Sequence, residues 1–217
     1  DVAHHTAART PADDHGKRGE DLLRCVGGVL RGERQLVRAG ADPDGVFLML
    51  VDDDRRIVHA TLHASVRDAL ASIDRDRVAR ALRAADGALR RLGVNAPRIA
   101  VSGVNPHAGE GGLFGREEID HIAPAIAEAA AQGIDAHGPF GADTMYLDRK
   151  FDAYLVMLHD QGHIPAKLAA RNPAAFTIGT PVLFATVAHG SAYDIAGRGV
   201  ADAATLIATV LRLSGAG

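Results

Sequence analysis

The sequence predicts an α/β protein with a mostly parallel sheet, and three observations lead there. Short apolar runs of strand character alternate with longer stretches of helical periodicity, which is the pattern of βαβ units. Polar, glycine-rich loops follow the apolar runs, where an open parallel sheet places its ligand-binding edge. Finally, 47% apolar residues in a chain of 217, with a mean hydropathy of 0.00, supply a core for one large domain or two small ones.

Taken in order, residues 1–45 are rich in charge, Gly and Ala, carry His4, His5 and His15, and read as loop and helix. Val46-Phe47-Leu48-Met49-Leu50-Val51 and Ile57-Val58-His59-Ala60-Thr61-Leu62 are strand-like and are joined by the turn Asp52-Asp53-Asp54-Arg55-Arg56. Apolar residues at three and four spacing (Val66, Leu70, Ile73, Val78, Leu82, Ala85, Leu89, Leu92) predict one helix over 66–92, ended by Gly93 and Pro97. Arg98-Ile99-Ala100-Val101-Ser102 is the next strand, followed by a glycine-rich loop over 103–115 and a helix over 117–132 that Gly133 terminates. Gly138-Pro139-Phe140-Gly141-Ala142-Asp143-Thr144 reads as a loop, and the apolar run 154–158 as a buried strand. The remainder predicts a strand near 182–187, another glycine-rich loop, and a closing helix over 203–213.

Composition excludes several function classes. The net charge of −3 comes from interspersed signs, and 4% aromatics with no Trp offer few stacking platforms, so nucleic acid is not an expected partner. No apolar run approaches the roughly 18 residues that span a bilayer, so no membrane association is expected either. The single Cys25 rules out an intrachain disulfide framework, and nothing from Asp1 onward resembles a signal peptide, which makes the cytoplasm the expected location.

The densest collection of ionisable groups is Leu158-His159-Asp160-Gln161-Gly162-His163-Ile164-Pro165-Ala166-Lys167, directly after an apolar run. Such groups at the carboxyl end of a parallel strand line a cleft. Two further loops carry polar side chains in the same relation: Asn105-Pro106-His107-Ala108-Gly109-Glu110-Gly111-Gly112 and Gly141-Ala142-Asp143-Thr144. Neutral imidazoles suit a borderline divalent ion and carboxylates a harder one, so His107 and His159 with Asp143 or Asp160 form a plausible mixed metal site. Their spacing alone is no metal signature. A fourth loop, His189-Gly190-Ser191-Ala192-Tyr193-Asp194-Ile195-Ala196-Gly197-Arg198-Gly199, allows close approach to a ligand, and Asp194 would accept hydrogen bonds from a ribose diol while repelling a 2′-phosphate. No G-x-G-x-x-G follows a first strand, so the ordinary dinucleotide fingerprint is absent.

Together these loops resemble, in order and approximate spacing, successive signatures of the 4-hydroxythreonine-4-phosphate dehydrogenase family: Asn105 to Gly111, Ala142-Asp143-Thr144, Leu158 to Gly162, Lys167, and His189-Gly190-Ser191-Ala192. The likeness covers residues 46–213. The last loop also resembles the segment by which isopropylmalate and isocitrate dehydrogenases hold the adenosine of their cofactor. Within the family, Val46 to Val51, Arg56 to His63, His159 to Pro165 and Ile195 to Asp202 are most similar to the terephthalate dihydrodiol dehydrogenase branch. Ala175 and Phe184 stand where the phosphate-handling enzymes carry an Asn and an Arg. Replacing a guanidinium by a phenyl ring removes the charge-assisted hydrogen bonds a phosphate needs.

The resemblance implies an isocitrate/isopropylmalate dehydrogenase-like α/β/α architecture. Residues 1–45 would be a junction with a partial first domain, 46–175 the α/β domain with the metal and substrate loops, and 176–217 a segment returning to the first domain with the nucleotide loop. His4-His5-Thr6 resembles the family's interdomain junction, so roughly the first third of a full-length member is expected to be lacking. The implied reaction is NAD-dependent oxidation with decarboxylation of a cis-dihydrodiol carboxylate to a catechol, aided by a divalent metal (Zn, Mn, Mg, Co or Fe). The implied roles are His107 and His159 for the metal and Lys167, Asp160 and Asp143 for catalysis. Lys167, Asn105 and His163 would hold the substrate, and His189, Gly190, Ser191, Ala192, Asp194 and Ile195 the NAD. The family's G-H-T-E segment, expected to bring a third metal histidine across a homodimer interface, is missing, and its nearest stand-in is Gly19-Glu20-Asp21. The rival readings are a dehydrogenase of a phosphorylated four-carbon hydroxy acid such as 4-phospho-threonate, and a catalytically silent binding protein.

Overall fold

A computed structural model describes residues 43–52, 55–148, 150–169, 173–187 and 193–214. Seven strands form one sheet in the order β4-β3-β5-β2-β1-β6-β7: β1 (Phe47–Asp52), β2 (Arg55–His59), β3 (Arg98–Ser102), β4 (Asp135–Phe140), β5 (Ala153–Val156), β6 (Ala174–Ile178) and β7 (Phe184–Val187). β2, β5, β3 and β4 are mutually parallel neighbours, whereas β1 runs antiparallel to β2 and β6, and β7 antiparallel to β6. Five of the seven strands therefore point the same way, as expected for a mostly parallel sheet.

Alternation along the strands fills both faces. Phe47, Met49, Val51, Val58, Ile99, Val101, Leu155 and Phe176 join the larger core, beneath helices α2 (Arg75–Arg91) and α3 (Ala123–Ala131). Leu48, Leu50, Ile57, Ala100, Tyr154, Val156 and Ala175 form a second core on the other face with Ala166 of helix α4 (His159–Ala169). Burial on both faces is why these runs are nearly continuous in apolar residues rather than cleanly alternating. Helix α5 (Ala204–Ser214) packs against β6 and β7. Among the described residues no helix is long and apolar enough to cross a membrane.

Four expectations need correction. The single helix over 66–92 is two, α1 (Val66–Ser72) and α2. Buried Ile73 is extended, and the carboxylate of Asp74 accepts a hydrogen bond from the Arg77 N–H at 2.7 Å, starting a new helix. The step of five residues from Ile73 to Val78 is the sequence sign of that break. Second, 138–144 is not all loop, because β4 runs through Phe140 at the sheet edge, where Pro139 deprives no further strand of a hydrogen bond. Third, β6 is a strand that its Ala-rich, low-propensity sequence hid.

The fourth correction concerns the segment after β5, which is helical from His159 itself despite Gly162 and Pro165. A proline in a helix leaves the carbonyl four residues earlier without its donor. Here that carbonyl belongs to Gln161, and the Tyr146 hydroxyl donates to it at 2.8 Å. Burial pushes the Tyr146 pKa up, so the hydroxyl keeps its proton. Leu82, fully buried between α2 and the sheet, tests the larger core: Leu82→Ala is expected to lower unfolding free energy by about 2–5 kcal/mol in urea titrations, with an unchanged m-value.

Candidate active site

Because β2, β3, β4 and β5 are parallel neighbours, their carboxyl ends lie on one edge, and the predicted polar segments leave from that edge. β2 ends in His59 with His63 four residues later, β3 leads into 103–115, β4 into Gly141 and Asp143, and β5 into His159. Direct hydrogen bonds fix these ends to one another. Thr61 Oγ1 donates to the Met157 carbonyl at 2.7 Å and the Ala60 N–H to that of Val156 at 2.8 Å, while Arg77 Nε reaches the Ala60 carbonyl at 2.8 Å. Gln161 bridges further: its side-chain oxygen accepts from the N–H groups of Met157 (3.1 Å) and Leu158 (2.9 Å), and its amide donates to the Gly103 carbonyl at 3.1 Å.

Four imidazoles cluster where β2 and β5 end. The rings of His159 and His163 are stacked, 3.8 Å between centroids and 7° from parallel, while His59 lies 4.6 Å from His163 and His63 lies 5.6 Å from His159. His159 Nδ1 is 2.6 Å from the Asp160 carboxylate, and His163 Nδ1 is 3.3 Å from the His159 carbonyl. His59 is fully buried, and among the described residues neither ring nitrogen makes a hydrogen bond. Burial, reinforced by the facing His163, pushes its pKa well below the ordinary histidine value. Burial and His159 together also lower the pKa of His63, and the same causes bring His163 to about 4. The inner part of the cluster is therefore a set of neutral rings, the protonation state that binds metals.

Helix α4 reaches this position only because residue 162 is glycine. A Cβ there would collide with His59 Nε2 and lie 2.8 Å from Ile57 Cγ2.

Of the other predicted residues, Asn105, His107 and Asp143 lie on the segments that follow β3 and β4, and Lys167 stays on the helix of the histidine cluster. His107 lies in a left-handed turn, with φ of 51° at His107, 52° at Ala108, 79° at Gly109, 44° at Glu110 and 66° at Gly111. Left-handed conformation costs about 1–2 kcal/mol at each non-glycine residue, so surrounding contacts must hold it. The His107 side chain is exposed, 3.6 Å from Glu110 and edge-on to Phe114 at 6.4 Å. Its Cα lies 3.9 Å from where a Cβ on Gly141 would sit, and Asp143 Oδ1 lies 2.8 Å from the same point, so the loops of His107 and Asp143 are in contact. Asn105 Nδ2 donates to Glu117 at 2.6 Å and Glu118 at 2.9 Å. Lys167 is exposed one turn beyond His163 on α4.

Asp194 and Ile195 occupy a short turn (Tyr193–Ile195), with Asp194 exposed, whereas His189, Gly190, Ser191, Ala192 and Glu20 lie outside the described residues. Among the described residues, no three His, Cys, Asp or Glu side chains gather so as to hold one metal ion. The donor chemistry of the neutral imidazoles nonetheless suits a borderline divalent cation. His59 and His63 escaped the reading of site residues, although two histidines four apart at the end of a strand were a usable signal.

A mostly parallel α/β sheet with polar loops collected at its carboxyl edge defines a class of ligand-binding and enzymatic folds. The chain belongs within that class to the family described as pyridoxal phosphate biosynthetic protein PdxA, which it matches over residues 23–212. It is 51% identical over 175 residues to the 1,2-dihydroxy-3,5-cyclohexadiene-1,4-dicarboxylate dehydrogenase of a Comamonas species, covering 80% of this chain and 56% of that protein. It is 42% identical over 191 residues to the 4-hydroxythreonine-4-phosphate dehydrogenase of Beijerinckia indica, covering 86% and 57%. The crystal structure of a terephthalate 1,2-cis-dihydrodiol dehydrogenase from Burkholderia xenovorans superimposes with a TM-score of 0.69 at 47% identity, covering 80% of this chain and 57% of that one. That of a 4-hydroxythreonine-4-phosphate dehydrogenase from Klebsiella pneumoniae gives 0.71 at 39%, covering 79% and 53%. The chain thus spans little more than half the length of these relatives.

Two predictions follow from this geometry. Gly162→Ala is expected to cost about 1–3 kcal/mol, more than Gly→Ala elsewhere in a helix, read as a lower urea midpoint. The depressed His163 and His59 values mean that the unfolded chain binds protons the folded one does not, so stability is complete above about pH 7 and is lost as pH falls from 6.5 toward 4. In chelator-treated protein His163 alone is expected to contribute a loss of about 1–2 kcal/mol between pH 7 and 5, and His163→Phe should reduce the dependence by that amount.

Proposed function

We propose that the chain carries the substrate- and metal-binding part of an NAD-dependent, metal-assisted dehydrogenase, cytoplasmic and homodimeric, that oxidises and decarboxylates a cis-dihydrodiol carboxylate to a catechol. The observation that carries this reading is the group of imidazoles at the adjoining ends of β2 and β5. The substrate class is supported by the 51% identity to a relative named for a dihydroxycyclohexadiene dicarboxylate, against 42% for one named for a phosphorylated substrate. It is supported too by apolar Ala175 and Phe184, where the resemblance expects phosphate-holding side chains. Ala175 is a core residue of β6 and Phe184 opens β7, so neither position offers a charge.

His107 and His159 are the groups that would hold the cation; among the described residues no third side chain joins them as a ligand. When bound there, a divalent ion supplies Lewis acidity toward the hydroxyl being oxidised. Asp160 engages Nδ1 of His159 and so fixes the tautomer, leaving Nε2 as the donor atom. Lys167 offers an ammonium group for a substrate carboxylate or for the travelling proton, Asp143 a carboxylate beside the His107 loop, and Asn105 and His163 further substrate contacts. Asp194 and Ile195, with the loop His189-Gly190-Ser191-Ala192 before them, would hold the adenosine end of NAD. NAD, when bound, would supply the hydride acceptor for the carbinol carbon that bears hydrogen; the carboxylate on the adjoining carbon would then leave as CO2, its bonding electrons passing into the ring. The oxygen that lost its proton on oxidation would become the enolate oxygen when CO2 departs and would regain a proton there, giving the aromatic catechol.

The assay is NADH formation with the cis-dihydrodiol of terephthalate as substrate. Turnover is expected, with kcat/KM at least about a hundredfold lower in His159→Ala. Turnover of 4-phospho-threonate alone would overturn the substrate class, and undiminished rates after chelation would remove the ion. Silence to both substrates, with no thermal shift from NAD plus Mn2+, would favour the binding-protein reading.

A further inference from the structure

The Glu118 carboxylate, 3% exposed, is directed entirely at the loop that carries His107. Oε1 accepts from the backbone N–H groups of Val104 (2.7 Å) and Asn105 (2.8 Å), and Oε2 accepts from Asn105 Nδ2 (2.9 Å). A Cβ on Gly103 would sit 2.8 Å from Oε1 and one on Gly109 2.7 Å from Oε2, so the loop backbone closes on the carboxylate from two sides. Glu118 opens a π-helical turn (Glu118–Ile122), closed by a hydrogen bond from the Ala123 N–H to the Glu118 carbonyl. Just at its start two successive side chains, Glu117 and Glu118, both accept from the same Asn105 amide. Between and directly after these anchors come the left-handed residues His107, Ala108 and Glu110, which have no glycine freedom to explain their conformation.

We infer that Glu118 is the positioning residue of this site: its buried carboxylate, at the start of the π-helical turn, holds the 103–111 backbone in the left-handed path that presents His107 at the sheet edge. The inference rests on the proposed function only in treating His107 as a site residue. A purely structural role predicts something different, since loss of a buried carboxylate from the core would weaken the whole sheet.

The test is amide hydrogen exchange by NMR on the full chain, with the His107 ring signals followed in parallel. In Glu118→Ala, exchange at Val104, Asn105, Ala108, Leu113 and Phe114 is expected to accelerate about tenfold or more and the His107 ring signals to move, while β3 and β5 stay protected to within about twofold. Glu118→Gln keeps an oxygen for both backbone donors and should restore most of that protection. If Glu118→Ala does not fold, Gly109→Ala displaces the carboxylate with Glu118 still present, and the same local signature is expected. Uniform loss of protection across the sheet, or an unchanged loop and His107, would overturn the inference. Titration with Zn2+ separates the two readings: an affinity lowered about tenfold in Glu118→Ala and recovered in Glu118→Gln supports both. A wild type that binds no Zn2+ counts against the proposed function, while the exchange data still decide the role of Glu118.

Discussion

Since β5 lies between β3 and β2 and runs parallel to both, the segments that follow these strands must leave the sheet side by side. Everything at the candidate site depends on that constraint. Residues separated by 96 positions, Thr61 and Met157, are joined by a hydrogen bond because the strands before them are neighbours. The imidazoles of His59 and His63 meet those of His159 and His163 for the same reason. Gln161 then carries the connection one strand further, to the carbonyl of Gly103.

This arrangement joins two kinds of local order. On the β2 and β5 side the histidines are held by packing: α4 lies against β2 because Gly162 has no side chain, and the buried rings stay neutral because water is excluded. On the β3 and β4 side the order is polar, a carboxylate gripping both the backbone N–H groups and the Asn105 amide of a loop in an otherwise costly conformation. One side fixes ring positions through shape and the other through hydrogen bonds.

Much of this was legible in the sequence, and the exceptions have physical causes. Strands buried on both faces, such as β1, β3 and β5, show as apolar runs, and helices such as α2 and α3 show as a three and four rhythm. The polar segments at strand ends were legible because a parallel sheet sends them to one edge. What escaped was structure stabilised by partners distant in the chain: α4 tolerates Pro165 because a tyrosine nineteen positions earlier supplies the missing donor, and β4 tolerates Pro139 because it is an edge. His59 was hidden for the opposite reason, since a histidine inside an apolar run looks like part of the strand it ends. The pairing of site loops, and the role of Glu118, required coordinates because neither leaves a periodic trace.

Strand β1 carries none of the site residues, yet it is the seam of the molecule, antiparallel to β2 on one side and to β6 on the other. Its register with β6 pairs Phe47 with Ile178, partners with about three quarters of the described chain between them. The half bearing the histidines and the half leading to the Asp194 turn thus meet only when one of the most distant pairings in the fold closes. Closing that pairing carries a large loop-closure cost, and a one-residue slip of register at this seam would invert which face of β1 each half receives.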